Sequence, residues 1–232
     1  MKFADSFSDS RLEVHKTQSP VVITQGEATI KRTPDQAFLS ISTETRDTKA
    51  DNARRRNAEN MSNIQATLNS IGSIGIPTDA IKTTSFSLTP EIEWKNGRGT
   101  MKGYVVHNQI EIRVDNLDRL SEVIDTVNSG HDTSINVSGL RFALKNQQMV
   151  ETEALKLAVQ VALTRSQAIA EGAKRSIGEI LRIEEQKFGE INRAEPFLMR
   201  AAAVKGSEYS ETPITIGNLE IKAKVILTAE LK

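Results

Sequence analysis

Hydrophobic and polar positions change period several times along the chain, and each change marks an element. From Val22 to Arg32, small or apolar residues (Val22, Thr24, Gly26, Ala28, Ile30) alternate with a mostly polar set (Ile23, Gln25, Glu27, Thr29, Lys31). That is the period-two signature of a half-buried strand. Thr33-Pro34-Asp35 is a turn, after which Ala37, Leu39, Ile41 and Thr43 face one way and Phe38, Ser40, Ser42 and Glu44 the other, giving a second strand. The period then lengthens: Met61, Ile64, Leu68 and Ile71 form the buried stripe of a helix capped by Asp47 or Thr48 and ended by Gly72. Gly72-Ser73-Ile74-Gly75 reads as a helix-to-strand turn, because Ile76-Pro77 follows where a nucleic-acid-gripping loop needs a second helix.

Ile81 to Trp94 is a long strand with Phe86, Leu88, Ile92 and Trp94 on one face, and Pro90 marks it as an edge or a bulge. Lys95 to Gly103, with Asn96-Gly97 inside it, is a hairpin tip returning into a strand from Tyr104 to Val114. The spacing of Gly97, Gly99 and Gly103 does not match a phosphate-binding fingerprint, and no helix follows to hold the phosphate. Asp115 or Asn116 caps a short helix with Leu117, Leu120, Ile124 and Val127 inward, closed by Gly130. In the strand from Ser134 to Leu144, Ile135 and Val137 share one parity while Leu140, Phe142 and Leu144 share the other. The switch predicts a β-bulge at Gly139.

Asn146 to Gly172 is the longest helical segment, about seven turns at 3.6 residues per turn. Ala154, Ala158, Ala162 and Ser166 make a ridge of small side chains, widened by Leu155, Val159, Val161 and Ala168; Gly172 is the expected cap. The rest of the chain is expected to pack around this helix. A strand from Ile177 to about Phe188, a surface loop from Gly189 to Glu211 and a strictly alternating strand from Leu219 to Leu231 complete the series. The order β-β-α-β-β-α-β-α-β-β predicts an α+β fold, with helices packed on one face of a largely antiparallel or mixed sheet. Residues 1–20 lack periodicity and read as a flexible arm preceding one domain over 21–232.

Composition narrows the function more than it defines it. Thirty basic and thirty acidic residues give no net charge, which argues against nucleic-acid binding by bulk charge. No window approaches the roughly 20 apolar residues of a transmembrane helix, and residues 1–20 lack the apolar core of a secretory signal. The absence of cysteine removes disulfides and thiolate chemistry yet fits either redox compartment.

Val22 to Ile41, with Gly26 and the Pro34-Asp35-Gln36-Ala37 turn, resembles the opening of the SIMPL-domain family. The later landmarks agree in order: Asn57, then Ile76-Pro77-Thr78-Asp79-Ala80-Ile81-Lys82-Thr83, Leu88-Thr89-Pro90-Glu91, Gly103-Tyr104, Phe142 and the alanine-rich helix ending in Ala170-Glu171-Gly172. The resemblance covers about Val21 to Lys232. It implies a bacterial α+β domain, exported to the periplasm or cell surface if a leader is removed and otherwise cytoplasmic, tending to self-assemble, linked to oxidative-stress defence and without an established reaction.

The residues offer little chemistry of their own. Ser129, His131 and Asp132 are adjacent, but a triad needs an oriented base and an oxyanion site, so a polar turn is the better reading. His107 sits on a polar strand face, His15 lies in the arm, and Glu91 and Glu93 share a face without a partner group. With no metal-ligand spacing and no cofactor motif, neither metal nor cofactor is expected, and the chain is read as a non-enzyme. Two functions remain. In the first the protein is a homo-oligomer whose contacts include Trp94, Met101, Phe197, Leu198 and Met199; in the second Arg54, Arg55 and Arg56 form an anion patch for a ligand or nucleic acid.

Overall fold

The computed structural model describes residues 20–71, 76–129, 135–186 and 212–232, with the backbone alone at residue 129. The expected arm up to residue 19, the Gly72–Gly75 turn, His131 and Asp132 with the side chain of Ser129, and the late loop with Phe197, Leu198 and Met199 all lie outside the described residues. The elements follow the expected order: β1 (Val21–Arg32), β2 (Gln36–Asp47), α1 (Ala50–Ser70), β3 (Ile81–Lys95), β4 (Arg98–Val114), α2 (Leu120–Ser129), β5 (Ile135–Ala143), α3 (Gln147–Gly172), β6 (Ile177–Glu185) and β7 (Leu219–Leu231). The class is α+β. The described residues fall into two compact units, one built from 20–28, 153–186 and 223–232 and the other from the remainder.

The second unit holds a four-stranded sheet of order β3-β4-β2-β5, with each neighbouring pair antiparallel. Its core forms where Ala37, Leu39 and Ile41 of β2 and Ile110, Ile112 and Val114 of β4 meet the stripes of α1 (Met61, Ile64, Leu68) and α2 (Leu120, Val123, Ile124, Val127). The α1 stripe is the one the spacing predicts, and in α2 Val123 joins the predicted Leu120, Ile124 and Val127 while Leu117 packs against the cluster. No residue of α3 belongs to this cluster, which corrects the expectation that the chain packs around α3. The cause is side-chain size: α1 and α2 bring long aliphatic side chains, whereas the ridge of α3 brings mainly alanine and removes little apolar surface per residue.

Several local expectations are refined. α1 starts after Lys49 without a side-chain cap, because the Asp47 carboxylate accepts the Lys49 N–H ahead of the first turn. Asn116 does cap, accepting the Asp118 N–H into a 3-10 turn that leads to α2. Gly139 is the bulge: Leu39 pairs with Leu140 and Ser40 with Ser138, leaving Gly139 unpaired at φ +68°. Gly172 is the last residue of α3 rather than its stop; Lys174 takes the left-handed conformation at φ 56°. The Arg175 N–H then bonds to Ala170 O and the Lys174 N–H to Glu171 O, the paired bonds of a Schellman cap.

In the first unit the sheet order is β1-β7-β6, and α3 buries Ala154, Ala158, Ala162, Ser166 and Ala170, while Ala168 is exposed. The small ridge admits a close approach by β1. Thr24 Oγ1 donates to Ala162 O at 3.0 Å and lies 2.7 Å from Ser166 Oγ.

Candidate functional site

The long β3–β4 hairpin carries the main exposed apolar face of the second unit. Its turn has two residues, Asn96 and Gly97, both at positive φ (51° and 76°), the geometry that matches strand twist in a tight hairpin. β4 therefore begins at Arg98 and not at Tyr104 as the glycine-rich segment suggests. β2 pairs with β4 only as far as Asp47 opposite Tyr104. Beyond that point, residues 91–103 form a two-stranded arm about 20 Å long at 3.3 Å per residue. Gly103 permits the crossing at the root of the arm, since a Cβ there would lie 2.5 Å from Asp47 O.

Two bulges keep the apolar residues of the hairpin on one face. One falls at Thr84 and the other at Lys102, and the resulting register sets Phe86 opposite Asn108, Leu88 opposite Val106, Pro90 opposite Tyr104, Ile92 opposite Met101 and Trp94 opposite Gly99. β2 places Thr43 opposite Asn108 and Ile41 opposite Ile110, so this is the same face of the sheet that α1 covers further along. Helix cover ends and the apolar strip continues. Phe86 is 54% exposed, Leu88 38%, Ile92 47%, Trp94 71% and Met101 53%. Trp94 and Met101 thus lie on one face of the hairpin, and Phe86, Leu88 and Ile92 lie on it with them. Their signal was in the sequence as alternation, but nothing there told which part of the face a helix would cover.

Charged groups on the reverse face satisfy one another. Glu93 meets Lys102 at 2.7 Å and Lys95 at 2.9 Å; Glu91 accepts from Arg46 at 3.2 Å. Hydrogen bonds from Lys102 and Lys95 hold the Glu93 carboxyl below its usual pKa, and the same pair raises that of Lys102. Both glutamates are thus engaged in ion pairs, Glu93 with Lys95 and Lys102 and Glu91 with Arg46. Glu44 binds Arg46 and lies 3.2 Å from His107 Nδ1.

At the inner end of the strip, α1 is fixed to the sheet by a buried polar network. Asn57, 1% exposed, donates from Nδ2 to Thr43 Oγ1 at 2.9 Å and Thr45 Oγ1 at 3.2 Å, and accepts from Asn108 Nδ2 at 3.2 Å. Arg54, Arg55 and Arg56 are exposed on the same helix. Successive helical residues diverge by about 100°, so the three do not converge on one anion. Arg55 donates to Asn52 and Arg56 lies 3.6 Å from Asp47. Among the described residues no cluster of three or more acidic or histidine side chains is placed to hold a metal, and no helix is long and apolar enough to cross a membrane.

A family model, SIMPL, described as a protein of unknown function (DUF541), matches residues 22–229. The 26 kDa periplasmic immunogenic protein of Brucella melitensis is 25% identical over 230 residues, covering 93% of this chain and 86% of that protein. The uncharacterized protein YggE of Escherichia coli K12 is 24% identical over 164 residues, covering 69% of this chain and 63% of that protein. YggE of Edwardsiella ictaluri is 20% identical over 164 residues.

Proposed function

Because this chain belongs to the SIMPL (DUF541) family, we propose that it is a non-enzymatic, self-assembling protein of the bacterial periplasm or cell surface, serving envelope or oxidative-stress defence. The β3–β4 hairpin is its assembly surface. The observation that carries this reading is the strip of Phe86, Leu88, Ile92, Trp94 and Met101, an apolar face continuous with the core that no helix covers among the described residues. The periplasmic placement follows the printed name of the Brucella relative.

A second copy is the occupant that the energetics favour. Burying one large apolar side chain is worth about 1.5–3 kcal/mol, and association costs on the order of 4–15 kcal/mol. A single strip of five partly exposed side chains is therefore marginal. A two-fold contact buries two strips at once. The neutralised reverse face and the zero net charge leave no long-range repulsion between copies.

Light scattering coupled to size exclusion, at two protein and two salt concentrations, tests the reading. A mass well above 25.6 kDa that persists in high salt, and that Phe86→Asp with Trp94→Asp returns to the monomer value, is the expected outcome. A monomer under every condition overturns it.

A further inference from the structure

The methionine of the strip supplies a means of control. Of the described methionines, Met61 is 7% exposed in the core, whereas Met101 and Met149 are 53% and 70% exposed. Met101 alone lies on the apolar face of the hairpin, opposite Ile92 and two residues from Gly99, the register partner of Trp94. We propose that Met101 is a redox-sensitive modification site that releases the assembly when a peroxide oxidises it. This inference rests on the assembly reading above and names how that surface is regulated.

The chemistry is a two-electron oxygen transfer. The thioether sulfur attacks one oxygen of hydrogen peroxide, the O–O bond breaks, and the products are methionine sulfoxide and water. Sulfur is oxidised, peroxide is reduced, and the proton on the transferred oxygen passes to the departing hydroxide. In the dissociated chain the thioether of Met101 is open to this attack, so oxidation of the free copies draws the assembly apart by mass action, while the buried sulfur of Met61 is shielded in either state. The product places a strong hydrogen-bond acceptor in the middle of the strip. In a two-fold contact a second hairpin would set its own Phe86, Leu88, Ile92, Trp94 and Met101 around that acceptor, and Glu93, Lys95 and Lys102 are engaged with one another on the reverse face. Burying that acceptor unpaired weakens association by roughly tenfold to a hundredfold, whereas the free protein keeps it in water at no cost. A methionine sulfoxide reductase reverses the change.

The test treats wild type, Met101→Leu and Met149→Leu with graded hydrogen peroxide, then reads peptide mass for each methionine and particle mass by light scattering. Expected is a loss of wild-type and Met149→Leu assembly in step with one added oxygen on Met101, recovery after reductase treatment, and retained assembly in Met101→Leu. Full oxidation of Met101 with unchanged particle mass overturns the switch and leaves the assembly reading standing. So does oxidation of Met149 while Met101 stays reduced, and so does equal dissociation of Met101→Leu. An untreated wild type that is already a monomer overturns both.

Discussion

Trp94 and Gly99 are register partners, and a Cβ on Gly99 would stand 3.2 Å from Cη2 and 3.3 Å from Cζ2 of the indole. The missing side chain lets the ring lie across the neighbouring strand and widens the apolar strip. Trp94 is also the single tryptophan of the chain, 71% exposed. Its emission is therefore expected to be that of a solvent-exposed indole in the monomer and to shift to the blue as copies associate. Dilution through the association range, followed by fluorescence and light scattering together, checks this. Emission that stays constant while mass changes would place the contact away from the hairpin.

Trp94→Asp is expected to block association while leaving the fold stable to within about 0.5 kcal/mol, because the side chain touches solvent more than core. Urea unfolding of the variant gives the stability directly. A large loss of stability in the isolated monomer would mean that Trp94 belongs to the core of its own subunit.

Asn57→Ala is expected to cost about 2–4 kcal/mol, since it removes two buried hydrogen bonds and one part-buried one and strands Asn108 Nδ2 and the hydroxyls of Thr43 and Thr45 under α1. The urea midpoint should fall with little change in slope. Arg54→Ala, on the exposed side of the same helix, is expected to stay within about 0.5 kcal/mol of wild type.

Periodicity reports which face of an element is buried, and it does so locally. That is why the stripes of α1 and α2, the alternation of β7 and the bulge at Gly139 could be read from residues alone. Gly139 was legible because a parity change inside one strand has a single geometric explanation. The boundary of burial along β3 was not legible: Ile81 packs against the core and Phe86 does not, although both are apolar and both face α1's side of the sheet. Where helix cover ends depends on the length and placement of α1, a tertiary fact. The Asn57 network was hidden for a related reason, as Thr43 and Asn108 lie far from it in sequence and look like ordinary strand residues. Lys174 as the stop of α3 ran against propensity, which favours the nearby Gly172.

Gly26→Ala is expected to be the most damaging single-methyl addition in the first unit. A Cβ at residue 26 would lie 1.9 Å from Ala158 O and 2.7 Å from Ala162 N, so β1 or α3 must move bodily. Overpacking of this kind typically costs about 1–3 kcal/mol, and contact with backbone, which cannot rotate away, puts this site at the upper end. Hydrogen exchange should show faster opening along α3. Gly217→Ala, with nothing within 4 Å of the added methyl, is the control.

Acid is expected to weaken the fold through a few paired carboxylates. The Lys49 N–H is the largest influence holding the Asp47 carboxyl below its ordinary value, and a hydrogen bond from Lys31 does the same for Glu220. At Asp115 burial pushes the carboxyl up, yet hydrogen bonds from Gln36 and Arg113 and the charges of Arg113 and Lys145 outweigh it, so the net shift is downward. A lowered folded-state pKa means that the unfolded chain binds protons first as the pH falls. The stabilisation is present above the unfolded value of about 4 and is lost as the pH drops through the folded one. Asp115 and Glu220 are solvent-exposed, so their share of the decline should be shallow and should lessen in high salt. Asp115→Asn should narrow the gap between urea midpoints measured at pH 7 and below pH 4, because it removes one titrating group while its neighbours remain. An unchanged gap would show that Asp115 binds its proton equally in both states and that its contacts with Arg113 and Gln36 do not bias the native carboxylate.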